Sequence, residues 1–496
     1  MNTLNMNGWD VVSLVTVPFA NAAIVSQNSS PPSMQVSTDK LSAQATFGVW
    51  QITTGGTSDL IVFSIPLKTI SGSVSSGGKT LSNFSYTSLV AQVQLTLTFI
   101  DTGSNGQSLV VDSSRPPTAI QSLLDNTGKP LTNQFDNDAI NQVLNTWLSN
   151  NLSQFNHVFA SVQLDPSVGS DTQWAFCQPS VVAYTFLQLV DGGLANSYLG
   201  LIYNTGGNTT PGSVPQISPS FIPADCQAAF MISPALFLKN FLATAASDEF
   251  NIPSQNMNID TTLLSISLTA DTTIPQPQLE VDIPHSDASS VASDLNQAAE
   301  VVKWFFTGAS PSPPSITTIP YLPLLIELRI SVQDSVISTF AKTSTVVKES
   351  VLGTVTAYNT SQSWMTLAFD ASSQTLSYEP NNPPVNDHTI DQSQGLKTAE
   401  EIFQDAGLVA AAAGTVLTDG TSLLLVGALG GIATGGLQIT QSSFDADNQN
   451  DAPEITGLVS NISLPITWSG SSPFAASQAG LYQGGFYLAG NLRPTS

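Results

Sequence analysis

Charge is what this chain has least of. Asp, Glu, Lys and Arg make up 10% of its 496 residues, against about 25% in an ordinary soluble domain. The hydrophobic share is 41%, so the missing charge is replaced by Ser, Thr, Asn, Gln and Gly rather than by apolar bulk. Charge-driven disorder is excluded, and so is a coiled coil rich in Glu, Lys and Leu. Basic residues are scarcer still. Twelve stand against 36 acidic ones, for a formal charge of −24. They stand singly from Lys40 to Arg493. Such a chain repels phosphate backbones at long range, which argues against nucleic-acid binding and against a purely electrostatic membrane patch. Cysteine is limited to Cys177 and Cys226. Two cysteines encode no disulfide framework and no four-cysteine zinc site. Spacing alone leaves open whether the two are bonded. The start, MNTLNMNGWDVVSLV, lacks the basic residues and uninterrupted apolar stretch of a signal peptide. The expectation is cytosolic synthesis, with release by another route open.

What the chain does have is alternation. Val93, Leu95, Leu97 and Phe99 face one way while Gln92, Gln94, Thr96 and Thr98 face the other. Period two with one apolar face predicts an antiparallel, half-solvated sheet. Phe47–Ile52 and Leu60–Leu67 flank the turn-rich TTGGTSD and predict a hairpin. Further strands are predicted at 158–164, 263–269, 324–332, 364–369 and 486–489. Helical spacing is rarer. Asn7–Val25 places Val12, Val15, Phe19 and Ala23 on one stripe, with Pro18 as a kink. Ile140, Val143, Leu144, Trp147 and Leu148 mark a helix over 136–152, and a third is predicted over 289–306. Thr398 with Glu401 forms a capping box that opens a fourth. Segments 26–39, 205–223, 307–323 and 379–395, rich in Pro, Ser, Asn and Gly, read as loops.

Catalytic chemistry is hard to assemble. No P-loop, HExxH, GxSxG or kinase motif occurs. His157, His285 and His388 are too few and too scattered for a multi-histidine metal site, and His157 opens an apolar run that suits a structural role. Cys177 as a nucleophile needs a nearby base, which the sequence does not supply. Asp445–Asp451 resembles a calcium loop, but Asn450 and Thr456 stand where Gly and Glu are required. The expectation is a protein without enzymatic activity, metal or cofactor.

One stretch is unusual. Residues 421–439, TSLLLVGALGGIATGGLQI, carry no charge, and Gly427, Gly431 and Gly435 recur at four-residue spacing. That spacing permits close helix contact, and the length suffices to span a bilayer. The flanks are acidic rather than basic. Three readings stand: a protein-contacting helical hairpin over 398–439, conditional membrane insertion, or an anchor.

Several blocks resemble a known family. Asn7-Gly8-Trp9-Asp10-Val11-Val12 with Asn21-Ala22-Ala23-Ile24 is similar to the N-terminal signature of the 47-kilodalton proteins encoded beside clostridial neurotoxins. Phe47-Gly48-Val49-Trp50-Gln51-Ile52 with Gly55-Gly56 and Ile65-Pro66 resembles the next block. His157-Val158-Phe159-Ala160, Ile222-Pro223-Ala224-Asp225-Cys226, Ile232-Ser233-Pro234, Gln374-Thr375-Leu376, Ile466-Thr467-Trp468 and Leu488-Ala489-Gly490 extend it end to end. The resemblance implies the TULIP, or tubular lipid-binding, superfamily, in the branch that includes the OrfX proteins. It implies an α+β, mainly antiparallel β architecture, with long helices packed on strongly curved sheets around an apolar groove. Two modules would then span 1–245 and 246–496. Val12, Val15 and Phe19 would line the groove or fill it as core. The implied partners are a lipid or other apolar ligand, or a toxin-cluster protein, with membrane contact at Gly427, Gly431 and Gly435. Lipid carriage is the leading expectation, and a ligand-free scaffold of a toxin complex the alternative.

Overall fold

The structure is a computed structural model that describes residues 4–117, 119–164, 175–188, 193–223, 225–276, 281–285, 317–350, 353–372, 375–392 and 465–494. In chain order the first elements are β1 (Val11–Thr16), α1 (Val17–Ser26), β2 (Ser33–Ser37), β3 (Leu41–Phe47), β4 (Gln51–Thr57), β5 (Leu60–Ser76), β6 (Lys79–Leu95), β7 (Leu97–Gly103), β8 (Gly106–Val111) and β9 (Ala119–Leu124). Then follow α2 (Gln134–Asn151), β10 (Ala160–Gln163), β11 (Pro179–Gln188), β12 (Ser197–Thr205) and β13 (Ala228–Ile232). A helical run covers Pro234–Phe237, Leu238–Leu242 and Ala243–Glu249. Beyond it lie β14 (Met257–Asp260), β15 (Ser265–Leu268), β16 (Ile274–Pro275), β17 (Val281–His285), β18 (Thr317–Tyr321), β19 (Leu324–Gln333), β20 (Val336–Ser350), β21 (Gly353–Asp370) and β22 (Thr375–Gln392). The last strands are β23 (Ile466–Trp468), β24 (Ser471–Tyr482) and β25 (Gly485–Pro494).

The chain divides into two units. One comprises Asn5–Ser233, Ile455–Gln478 and Tyr487–Ser496; the other comprises Met1–Leu4, Pro234–Glu454 and Ala479–Phe486. The first unit holds sheets ordered β2-β3-β5-β6-β9 and β23-β10-β8-β7, and most of a third ordered β11-β12-β1-β13-β25-β24. The second holds a sheet ordered β14-β15-β19-β20-β21-β22. The pairings β1–β12, β5–β6, β19–β20, β20–β21 and β21–β22 are antiparallel, as the alternation predicts. In β6, Val93 and Leu95 are buried while Gln92 and Gln94 stay half-buried. Residues 398–439, including Gly427, Gly431 and Gly435, and the predicted helix over 289–306 lie outside the described residues.

Several expectations need correcting; the segments 26–39 and 307–323, read as loops, contain strands β2 and β18. Residues 7–25 are not one helix. Val11–Thr16 is a strand, and only Val17–Ser26 is helical. Val12, Val15, Phe19 and Ala23 fit helical spacing, but VVSLVTV is crowded with β-branched residues that favour extended backbone. Pro18 starts α1 rather than kinking it, because its missing N–H falls where a helix has no acceptor. The segment read as a loop from Glu379 is strand as far as Gln392. Pro380, Pro383 and Pro384 are tolerated because β22 is the last strand of its sheet. Finally, long helices on the sheets are not found. Among the described residues the longest helix is α2, of 18 residues.

Helix α2 is the one the spacing predicted. Asn133 caps it by accepting from the Asp136 N–H at 3.3 Å, and Asn133 Nδ2 donates back to the Asp136 carboxylate at 2.8 Å. Tyr86 O–H donates to the same carboxylate at 2.5 Å. That bond, with burial, pushes the phenol up to about 12. Ile140, Val143, Leu144, Trp147 and Leu148 are all buried.

The packing of β1 against β12 makes a first prediction. Gly200 on β12 faces Leu14 of β1, and a Cβ there would meet Leu14 Cδ2 at 2.2 Å and Thr185 Cγ2 at 3.0 Å. Gly200→Ala should cost roughly 1–3 kcal/mol by overpacking. Denaturant unfolding checks it, and an unchanged midpoint would show that this layer has room to spare.

Candidate functional site

Most of the sequence blocks lie in the first unit. Val12 and Val15 sit on β1, which is hydrogen-bonded on both sides. Val12 faces Ile202 and Met231, and Val15 faces Leu199 and Ala228. Both valines are fully buried. Phe19, on α1, is half-buried. Val15 and Phe19 border a crevice with Ala20, Ala23, His157, Phe159, Trp468 and Ser469, of about 170 Å³ empty volume but with no space for a water molecule. Val12 does not reach it.

Asn21 explains why α1 lies where it does. Its buried amide accepts from the Ile52 N–H at 2.7 Å and donates to the Ile52 carbonyl at 2.9 Å. One side chain thus replaces a neighbouring strand for β4. Trp50, two residues earlier, is fully buried, with ring centroids 4.8 Å from Phe63 and 4.9 Å from Phe155. Trp9 Nε1 donates to the Val214 carbonyl at 2.9 Å. The Asp10 carboxylate accepts from the Thr205 N–H at 3.0 Å and its hydroxyl at 3.2 Å. Ser233 N–H donates to the Asp10 carbonyl at 2.7 Å. Trp468 Nε1 donates to Ser13 Oγ at 3.1 Å. The blocks are therefore joints between distant parts of the chain.

His157 is 1% exposed. Its Nδ1 lies 3.2 Å from Ser29 Oγ, and its Nε2 has no hydrogen-bond partner. Phe159 and Trp50 meet its ring edge-on at 4.7 and 6.5 Å. Burial pulls its pKa down to about 4. A serine beside a histidine is the start of a nucleophilic pair, but this one is sealed from solvent. Cys177 is buried as well. Burial, and then the negative charge of Asp10, push its thiol well above the usual range. Cys177 and Cys226 are free thiols, both buried, which settles the bonding that spacing left open. Among the described residues no three His, Cys, Asp or Glu side chains come together to hold a metal, and no helix is long and apolar enough to cross a membrane.

A family model described as OrfX-like, "Protein OrfX2/OrfX3/P47", matches residues 6–290 and 315–490. The chain belongs to the OrfX-like family. It is 24% identical to Protein OrfX3 of Clostridium botulinum (strain Kyoto / Type A2), with 99% of each chain covered. It is also 24% identical to Protein OrfX3 of Paraclostridium bifermentans, with 99% of this chain and 98% of that one covered. Two solved structures share the fold. P47 from Clostridium botulinum A2 superposes with a TM-score of 0.66 at 15% identity, covering 99% of this chain and 98% of that one. P47 of Clostridium botulinum E1 gives 0.65 at 14%, covering 99% and 100%. The block resemblance thus led to the right family. What it did not reveal is the Asn21–Ile52 clamp. The one signal for it was an amide inside the apolar run FANAAIV.

Two predictions follow from these joints. Asn21→Leu leaves the Ile52 N–H and C=O buried without partners and should cost roughly 2–6 kcal/mol, at ~1–3 per group, read as a drop in unfolding free energy. The thiols of Cys177 and Cys226 should resist an aromatic disulfide reagent at pH 8 until denaturant is added. Rapid reaction of the native protein would contradict their burial.

Proposed function

We propose that this OrfX-like protein works without catalysis, as a binding subunit within a toxin-associated protein complex. The observation that carries this reading is the crevice beside α1. Val15 and Phe19, two of the three residues expected to line a ligand groove, border a space too small for a water molecule, and an acyl chain needs far more. Kinship with OrfX3 and P47 proteins supports the toxin association. The sealed Ser29–His157 pair and the buried thiols support the absence of catalysis. We read the fold as TULIP type in two modules, 1–245 and 246–496. The chain passes from one unit to the other at Ser233–Pro234, near that boundary, while segments 455–478 and 487–496 fall with the first unit.

Carriage of an apolar ligand is the second reading. The apolar lining of the crevice favours it, since Val15, Phe19, Ala20, Ala23 and Phe159 supply no charge. It needs the crevice to widen. Contact with a membrane through Gly427, Gly431 and Gly435 belongs to this second reading. Native mass spectrometry of the purified chain separates the two. The bare polypeptide mass, with a defined complex on co-expression with a product encoded beside it, is the expected result. A stoichiometric lipid carried through purification would replace the first reading with the second.

A further inference from the structure

The surroundings of His157 are unusually empty of charge. Residues 11–38, 41–58, 139–164 and 455–492 contain no Asp, Glu, Lys or Arg. Among the described residues, the side chains that line the crevice or meet the histidine ring come from these stretches. Strand β1 presents Val15, α1 presents Phe19, Ala20 and Ala23, and the turn after α1 presents Ser29. The segment before β4 presents Trp50, the lead into β10 presents Phe159, and β23 with the residue after it presents Trp468 and Ser469. None of these residues titrates. The other titratable side chains in the four stretches are Tyr482 and Tyr487, and neither lines the crevice.

Among the described residues, an imidazolium formed here would have no counter-ion beside it, only the serines Ser29 and Ser469. A buried charge without a partner is removed from the interior rather than tolerated. The seam around it is also lightly tied. Gln27 Nε2 donates to Ser469 Oγ at 2.5 Å and Trp468 Nε1 donates to Ser13 Oγ at 3.1 Å, while the Ser469 N–H bond to the Phe159 carbonyl lies within the wall.

We propose that His157 is an acid latch: protonating it opens the seam between α1 and the Phe159–Trp468 wall, turning the closed crevice into an exposed apolar site. This goes beyond the binding role proposed above and does not depend on it. The sign follows from linkage. The closed state binds its proton near pH 4, and an opened, hydrated imidazole binds near 6.5. Between those values the open state holds more protons, so acidification favours it. Its population rises by up to about tenfold per pH unit below 6.5, by roughly 160-fold at pH 4, and toward a limit of about 300-fold below that. Above pH 6.5 the latch stays shut.

The test compares the full-length protein with His157→Phe, which keeps an aromatic ring but cannot titrate. Amide exchange, corrected for intrinsic rates, is followed at pH 7.0, 5.5 and 4.5 with binding of an anilinonaphthalene dye. In the wild type, residues 17–26 and 466–469 should lose at least tenfold protection by pH 4.5 and the dye should bind; in His157→Phe neither should change. Equal acid responses in both proteins, or unchanged protection in the wild type, overturn the proposal. Should His157→Phe not fold, the wild-type imidazole is titrated by NMR. A midpoint below 5.5 that moves together with α1 resonances upholds the latch, and an unshifted midpoint near 6.5 or a titration without change in α1 overturns it.

Discussion

A chain that carries so little charge must settle its buried backbone with neutral hydrogen bonds, and the Asn21–Ile52 clamp is where the most depends on one of them. An amide side chain offers a donor and an acceptor in the geometry of a peptide unit. Asn21 spends both on Ile52. That fixes α1 against β4, sets Trp50 among Phe63, Phe155 and Phe159, and closes the wall behind His157. An aspartate could only accept, and its charge would be stranded. A leucine would fill the volume and leave two backbone groups dry.

The same solution recurs around the sheet that contains β1. Trp9, Trp468 and Tyr184 each combine a large apolar body with one polar atom that reaches a partner. Tyr184 O–H donates to the Asp59 carbonyl at 2.6 Å and accepts from the Leu97 N–H at 2.8 Å. Burial lifts its phenol to about 12, so the hydroxyl stays neutral and keeps both bonds. These joints are thus explained by packing and backbone satisfaction.

How much could be read in advance depended on whether one periodicity stood alone. β6 and α2 were legible because their apolar residues fit only one period. Residues 11–25 were not, because Val12, Val15, Phe19 and Ala23 satisfy a helical spacing while the β-branched run beneath them satisfies a strand. Pairing with β12 and β13, a tertiary contact, decided it. β22 was hidden by its prolines, which argue against a strand only when the strand is interior. His157 was legible as a buried structural residue from its apolar run. Its place beside Ser29, 128 positions away in sequence, was not, because nothing local links the two.

The charge the chain does carry is unevenly placed. Residues 27–95 contain Lys40, Lys68 and Lys79 against Asp39 and Asp59, a net of +1 (3 − 2), in a chain of −24. These residues build β2 to β6. There Ser42, Gln44, Thr46, Thr69, Ser85 and Thr87 are exposed, and Thr46 and Thr69 bond to each other across strands at 2.7 Å. Covering neutral hydroxyls and amides costs far less than covering charges, provided their hydrogen bonds are replaced. Electrostatic steering over that face is weak, since steering needs a strong field. Recognition there would rest on shape and hydrogen bonding, and would be correspondingly insensitive to salt. The scarcity of charge that makes His157 hard to protonate in place thus also decides what kind of contact this sheet can make.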